Sequence, residues 1–197
     1  MKGCERMNRI IRIFPNRNSF TPTDDMAFFE EPGLFIPEHD AVHVCCVFTW
    51  DIDRCRELQF QWQGRTSNPV LLDGPAFGNS GGDFIHGMYI RQGVTFTSRG
   101  CPNKCGFCFV PKREGRLREL PIQAGNIIND NNFLACSKEH RRKVYDMLKS
   151  QRKIEFKGGL EAARLTDWDI KEMRNLRVKR LFFAADHDGA VPTIKDG

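Results

Sequence analysis

No stretch of the chain approaches the ~18 consecutive apolar residues that a membrane-spanning helix requires, so no such helix is expected in these residues. A secretory leader is not expected either, because Met1 to Arg12 is basic and has no sustained apolar core. Met7 is an alternative start, because the strand-like Ile10–Phe14 follows it directly. The excess of one charge sign is small, with 30 Lys and Arg against 25 Asp and Glu. The resulting net charge of +5 favours an anionic partner only mildly. No internal repeat and no low-complexity tract is evident. Tyrosine is nearly absent, two residues against sixteen phenylalanines, which suggests an apolar, phenylalanine-packed core. What remains is ordinary globular composition over 197 residues, enough for one medium domain or a small one plus part of another.

Cysteine is not scarce. Eight cysteines would suit a secreted disulfide framework, but without a leader a reducing cytoplasm is the expected location. Three of them fall within eight residues, Cys101-Pro-Asn-Lys-Cys105-Gly-Phe-Cys108. Thiolates are soft ligands that suit zinc or iron–sulfur clusters. A structural zinc site wants four ligands. A four-iron cluster takes one cysteine per iron, so three cysteines leave one iron open to a substrate or cofactor.

This C-x3-C-x2-C spacing, with the aromatic Phe107 before the last cysteine, resembles the signature of the radical S-adenosylmethionine superfamily. The likeness is nearest to cobalamin-binding-domain-associated and methylthiotransferase-like members. The resemblance implies that Cys101, Cys105 and Cys108 hold a 4Fe-4S cluster whose fourth iron chelates S-adenosylmethionine. It implies reductive cleavage of that cofactor to a 5′-deoxyadenosyl radical, which abstracts hydrogen from a substrate that the motif does not name. It also implies a flavodoxin- or ferredoxin-type electron donor, and places Phe107 near the adenine. Oxygen-sensitive chemistry of this kind fits a cytoplasmic location.

Residues 1–85 and 86–197 read as two α/β pieces separated at the hinge Asn79-Ser-Gly-Gly-Asp83. In the first, Ile10–Phe14, Ala41–Phe48 and Pro69–Pro75 are expected strands, and Pro15 to Pro37 is expected to be mostly loop. A helix capped by Asp51 should bury Ile52, Cys55, Leu58 and Trp62. The piece resembles, faintly, the Rossmann-like domain of cobalamin-dependent relatives. The ligating Asp-x-His-x-x-Gly is absent, and His39-Asp40 and His43 do not reproduce it, so cobalamin is not expected.

The second piece reads as four strand–helix units, with strands at Gly93–Ser98, Asn126–Asn129, Lys153–Lys157 and Arg180–Ala184. Its helices are expected to start at Ser137, with Val144, Met147 and Leu148 inward, and at the Thr166-Asp-Trp-Asp169 capping tetrad. Repeated βα units imply a parallel sheet with functional groups at the strands' C-terminal ends. The fold expectation is therefore α/β, a partial TIM-like (βα) barrel preceded by a small Rossmann-like domain. Six units are typical of the superfamily and four are counted, so the core is expected to be incomplete.

For the cofactor the resemblance directs attention to strand ends. Asp130-Asn131-Asn132-Phe133 stands where relatives bind the methionyl amine, so Asn131 and Asn132 are candidates, with a solvated turn as the bland alternative. Gly158 and Gly159 would admit a ligand close to the backbone, and Glu161 would hold a ribose hydroxyl. The alternative is an ordinary strand-to-helix turn. Arg164 suits a carboxylate, and Asp186 and His187 close the last strand. Phe107 has a core phenylalanine as its plain reading.

Cys45, Cys46 and Cys55 are expected to be buried apolar residues, and Cys4 lies in the leading segment. Cys136 and His140 form a C-x3-H pair that would complete a zinc site with two loop cysteines. That is the competing, non-catalytic reading: a zinc- or cluster-stabilised binding module, with nucleic acid as its partner. Lys138 to Lys153 carries seven Lys and Arg against two acidic residues, which suits RNA phosphates or, as the favoured explanation, a solvated helix face.

Overall fold

A computed structural model describes residues 9–78 and 85–184. The proposed hinge Asn79–Asp83 lies outside these residues, as do Cys4, Met7, Asp186 and His187. The chain divides into two compact units, Met1–Arg91 and Gln92–Gly197, both α/β with parallel sheets.

The first unit contains β1 (Ile10–Ile13), β2 (Ala27–Phe28), β3 (Ala41–Cys45), α1 (Ile52–Gln63) and β4 (Val70–Asp73). Its sheet has the order β2-β1-β3-β4, with every pair parallel. Alternation along β1 and β3 sends Ile11, Ile13, Val42 and Val44 to one face, where they meet Cys55, Leu58 and Trp62 of α1. Helical spacing therefore gave the buried face of α1 correctly, with Ile52 packed at its margin. Each fully buried side chain of this size contributes roughly 1.5–3 kcal/mol. Asp51 sits at the N-cap but makes no side-chain cap, because its carboxylate accepts from Asn16 Nδ2 at 3.0 Å instead.

The opposite face carries Arg12 and His43. Arg12 is buried, pairs with Asp24, and donates to the Met88 carbonyl at 2.6 Å. His43 stacks on Tyr89, and Arg91 N–H donates to the Phe20 carbonyl at 2.9 Å. These contacts tie the stretch to Arg91 into the first unit, past the boundary expected from composition.

The second unit begins with β5 (Val94–Thr95), β6 (Ser98–Arg99), α2 (Val110–Arg113), β7 (Arg118–Glu119) and β8 (Ile127–Ile128). It continues with α3 (Lys138–Leu148), β9 (Ile154–Glu161), α4 (Asp167–Arg174) and β10 (Val178–Ala184). Strands β5, β8, β9 and β10 pair in chain order, all parallel. Two expectations change here. The Gly93–Ser98 strand is split, because Ser98 and Arg99 turn away to pair antiparallel with β7. Gly158 and Gly159 lie inside β9 rather than after it, where the pairing with β10 shifts register.

The core of this unit is Ile128, Phe133, Val144, Tyr145, Leu148 and Phe156 with their neighbours. Ser137 Oγ caps α3 by accepting from His140 N–H at 3.2 Å. The Thr166–Asp169 capping box on α4 is present in both directions. Asp169 also accepts from Arg141 Nη1 on both oxygens (2.9 and 2.8 Å) and from Tyr145 OH at 2.9 Å, so one carboxylate clamps α3 to α4. The phenylalanines do not all go inside. Phe133 and Phe156 are buried, but Phe35, Phe48, Phe60, Phe77, Phe107, Phe109 and Phe182 are exposed, so a phenylalanine-packed core describes only part of the set.

Candidate functional site

Because β5, β8 and β9 run parallel, their C-terminal ends share one edge of the sheet. The chain leaves β5 through Phe96 and Thr97 into β6 and reaches Cys101 two residues after Arg99. Gly100 makes this possible: its φ is +78°, and a Cβ there would collide with the Arg116 carbonyl. Residues 101–109 then form neither helix nor strand. Cys101, Cys105 and Cys108 are free and partly exposed. Cys108 N–H donates to the Cys105 carbonyl at 3.0 Å, closing a tight turn around Gly106-Phe107. Phe107 is 67% exposed, so it is no core residue.

The segment after β8 grips this run residue by residue. Asp130 is buried and accepts from Thr97 N–H and Thr97 Oγ1 (both 2.6 Å) and from Ser98 Oγ (2.8 Å). Burial pushes its pKa above the ordinary aspartate value, although the Thr97 and Ser98 donors pull it part of the way back. Asn131 Oδ1 accepts from Gly100 N–H at 3.0 Å. Asn132 Nδ2 donates to Cys101 Sγ at 3.6 Å and to Glu161 Oε2 at 2.7 Å. Asn132 Oδ1 is buried without a hydrogen-bond partner. Gly158 allows the close fit, since a Cβ on it would strike the Asp130 carbonyl.

Glu161, at the end of β9, is the second gathering point. Its Oε2 accepts from Asn103 Nδ2 at 3.0 Å and Arg164 Nε at 2.6 Å as well as from Asn132. Arg164 Nη2 also donates to Asn103 Oδ1 at 3.2 Å. Burial pushes the Glu161 carboxyl up, but the hydrogen bonds from Asn132, Arg164 and Asn103 outweigh it and hold the pKa below the usual glutamate value.

The structure thus brings together Cys101, Asn131, Asn132, Gly158 and Glu161, and gives Asn131 and Glu161 protein partners where ligand contacts were expected. Among the described residues, no three His, Cys, Asp or Glu side chains stand close enough to hold a metal ion as placed. Asn103 and the Thr97–Ser98–Asp130 knot carried no motif. A polar side chain between two loop cysteines was the only signal for Asn103. Cys136 is buried, and burial pushes its thiol up to about 12. His140 Nδ1 faces Glu119 at 3.7 Å and its buried Nε2 has no hydrogen-bond partner, and among the described residues the C-x3-H pair does not stand with a third ligand as placed.

In the first unit, His39 bonds the Thr66 hydroxyl and the Pro37 carbonyl, and burial lowers the pKa of His43. On α3, Arg141 is taken by Asp169 and Lys143 pairs with Glu139, and at its C-cap Lys149 pairs with Asp146. Ion pairing thus engages part of the positive charge between Lys138 and Lys153. No helix among the described residues is long and apolar enough to cross a membrane. Comparison with protein-family models, with curated proteins and with solved structures gave no match.

Proposed function

We propose that this chain belongs with the radical S-adenosylmethionine enzymes, and that Cys101, Cys105 and Cys108 are the ligands of its four-iron cluster. The single observation that carries the reading is the placement of the C-x3-C-x2-C loop. It follows, by way of β6, the first strand of a parallel sheet wound in chain order, and its lead-in and first cysteine are gripped at the C-terminal edge by Asp130, Asn131 and Asn132. We read that sheet as an arc of a TIM-like barrel, because chain order without a reversal is what a (βα) barrel needs. The first unit, by contrast, reverses strand order at β1 and fits a Rossmann-like layer.

The donor set suits the cluster. Three free thiols share one short loop, an amide N–H points at the Cys101 sulfur, and the buried Asn132 Oδ1 is an uncommitted acceptor suited to an ammonium group. As placed the three sulfurs are not gathered, so a cluster would require the loop to rearrange, and residues 101–109 have no regular structure to break. A cluster with S-adenosylmethionine, when bound, supplies one-electron cleavage of the sulfonium and hydrogen abstraction by the 5′-deoxyadenosyl radical. The residues of this chain hold the loop, place a donor on Cys101, and offer Phe107 as an exposed aromatic surface beside the site.

The test is anaerobic reconstitution with iron and sulfide, then reduction with S-adenosylmethionine and an assay for 5′-deoxyadenosine. About four irons per chain and product formation are expected, with Cys105→Ala losing the visible absorbance and Cys136→Ala keeping it. Bound zinc at about one per chain, or loss of the chromophore in Cys136→Ala, would overturn the reading.

A further inference from the structure

Glu161 is more heavily engaged than its position at a strand end requires. A single oxygen, Oε2, receives three donors within 3.0 Å, and they come from three places: Asn103 inside the cysteine loop, Asn132 after β8, and Arg164 just after β9. Asn103 is the loop's own side-chain tie to β9, reinforced by its bond from Arg164. Asn132 spends its two amide hydrogens on Glu161 and on the Cys101 sulfur, so its orientation is fixed from the carboxylate side. Carboxylates that orient a group next to a metal ligand tune the metal as well as the geometry.

We infer that Glu161 is a positioning residue for the cysteine loop. Through Asn103 it latches the loop to the end of β9, and through Asn132 it sets the donor on Cys101 and a negative charge one side chain behind that sulfur. This rests on the reading of Cys101, Cys105 and Cys108 as cluster ligands. The role differs from the ribose contact expected of Glu161, whose Oε2 is already committed to protein donors. A negative charge held near a cluster disfavours adding an electron to it, and hydrogen bonds to sulfur favour it. Neutralising Glu161 therefore raises the reduction potential, while removing Asn103 loosens the loop and leaves the charge in place.

The experiment compares wild type, Glu161→Gln, Asn103→Ala and, as a charge control on the same strand, Glu155→Gln. Glu155 binds Lys179 at 2.8 Å and takes no part in the Asn103–Asn132–Arg164 network. Two readouts are taken. In the metal-free protein, iodoacetamide labelling of Cys101 and Cys105 is followed by mass spectrometry. Asn103→Ala and Glu161→Gln are expected to label several-fold faster, and Glu155→Gln at the wild-type rate. In the reconstituted protein the midpoint potential is titrated. Glu161→Gln should shift it upward by about tenfold in the reduced-to-oxidised ratio, ~59 mV for one electron, with iron content unchanged. Wild-type labelling together with a wild-type potential in Glu161→Gln overturns the inference. Faster labelling in a protein that takes up no iron overturns the cluster reading and leaves the latch standing.

Discussion

Asp169 and Glu161 sit on neighbouring elements of the same unit, and each gathers donors from three residues, yet their surroundings are opposite. Asp169 is fully buried at the α3–α4 junction, where Arg141, Tyr145 and Thr166 converge on it. Glu161 stands at the open edge of the sheet, with its side chain 28% exposed and its donors drawn partly from a loop without regular structure. A buried carboxylate with a buried cation fixes two helices, and its removal leaves the cation stranded. A half-exposed carboxylate stabilises little by itself and instead decides where its donors stand. One carboxylate therefore holds the scaffold, and the other arranges the site built on it.

The comparison breaks most sharply at Asp169. Asp169→Asn leaves Arg141 without its counter-charge in a site closed to water, and should cost ~3–5 kcal/mol in urea unfolding. Iron uptake by the molecules that remain folded should be unchanged. A loss under about 1 kcal/mol would mean that the α3–α4 clamp is not structural. Gly158→Ala comes next. Its Cβ would meet the Asp130 backbone rather than a flexible side chain, so β9 and the 130–132 run must separate. A destabilisation of ~1–3 kcal/mol is expected. Unlike Asp169→Asn, it should also speed alkylation of Cys101, since Asn132 is displaced with the run. Destabilisation without any change in labelling would uncouple the run from the loop.

How much of this was legible in the sequence follows the range of the interactions. The Thr166–Asp169 box, the Ser137 cap and the buried face of α1 are local, set by residues three or four apart, and they could be read directly. The reach of Asp169 to Arg141 and Tyr145 could not, because nothing local pairs two helices. The same holds at the site. The spacing of Cys101, Cys105 and Cys108 announced itself, and the strand ends pointed to Asn131, Asn132 and Glu161. That Asn131 would hold Gly100, and that Asn103 and Asn132 would both turn to Glu161, depends on chain segments meeting across the sheet edge. The split of the first strand has a similar origin: its partner, Arg118–Glu119, lies beyond the cysteine loop.

A smaller effect separates two carboxyls within the site by the sign of their pH dependence. The pKa of Glu161 is lowered by folding, so its contribution to stability is present above the unfolded value of about 4.3 and is lost as pH falls through the folded value. The pKa of Asp130 is raised by burial, so its contribution is full below about 3.9 and is lost as pH rises through the folded value. Urea unfolding from pH 3 to pH 7 should therefore show the deficit of Glu161→Gln growing with pH. The stability of Asp130→Asn relative to wild type should improve over the same range, since the Thr97 and Ser98 hydroxyls can turn to accept from the new amide. Parallel profiles for the two variants would remove the distinction between a carboxyl whose pKa folding lowers and one whose pKa folding raises.

The smallest stability effect is expected at Phe107, and it sharpens the contrast between scaffold and site. The side chain is 67% exposed and packs into neither core, so Phe107→Ala should change unfolding free energy by no more than ~0.5 kcal/mol. An aromatic held this open in the middle of a cysteine loop has its apolar face available to a planar group, and burying that face on binding would contribute favourably. Equilibrium dialysis of reconstituted protein against S-adenosylmethionine should then show weaker binding in Phe107→Ala, with iron content equal to wild type. Equal affinity would take Phe107 out of the cofactor site. A large loss of iron would instead make it part of what closes the loop around the sulfurs.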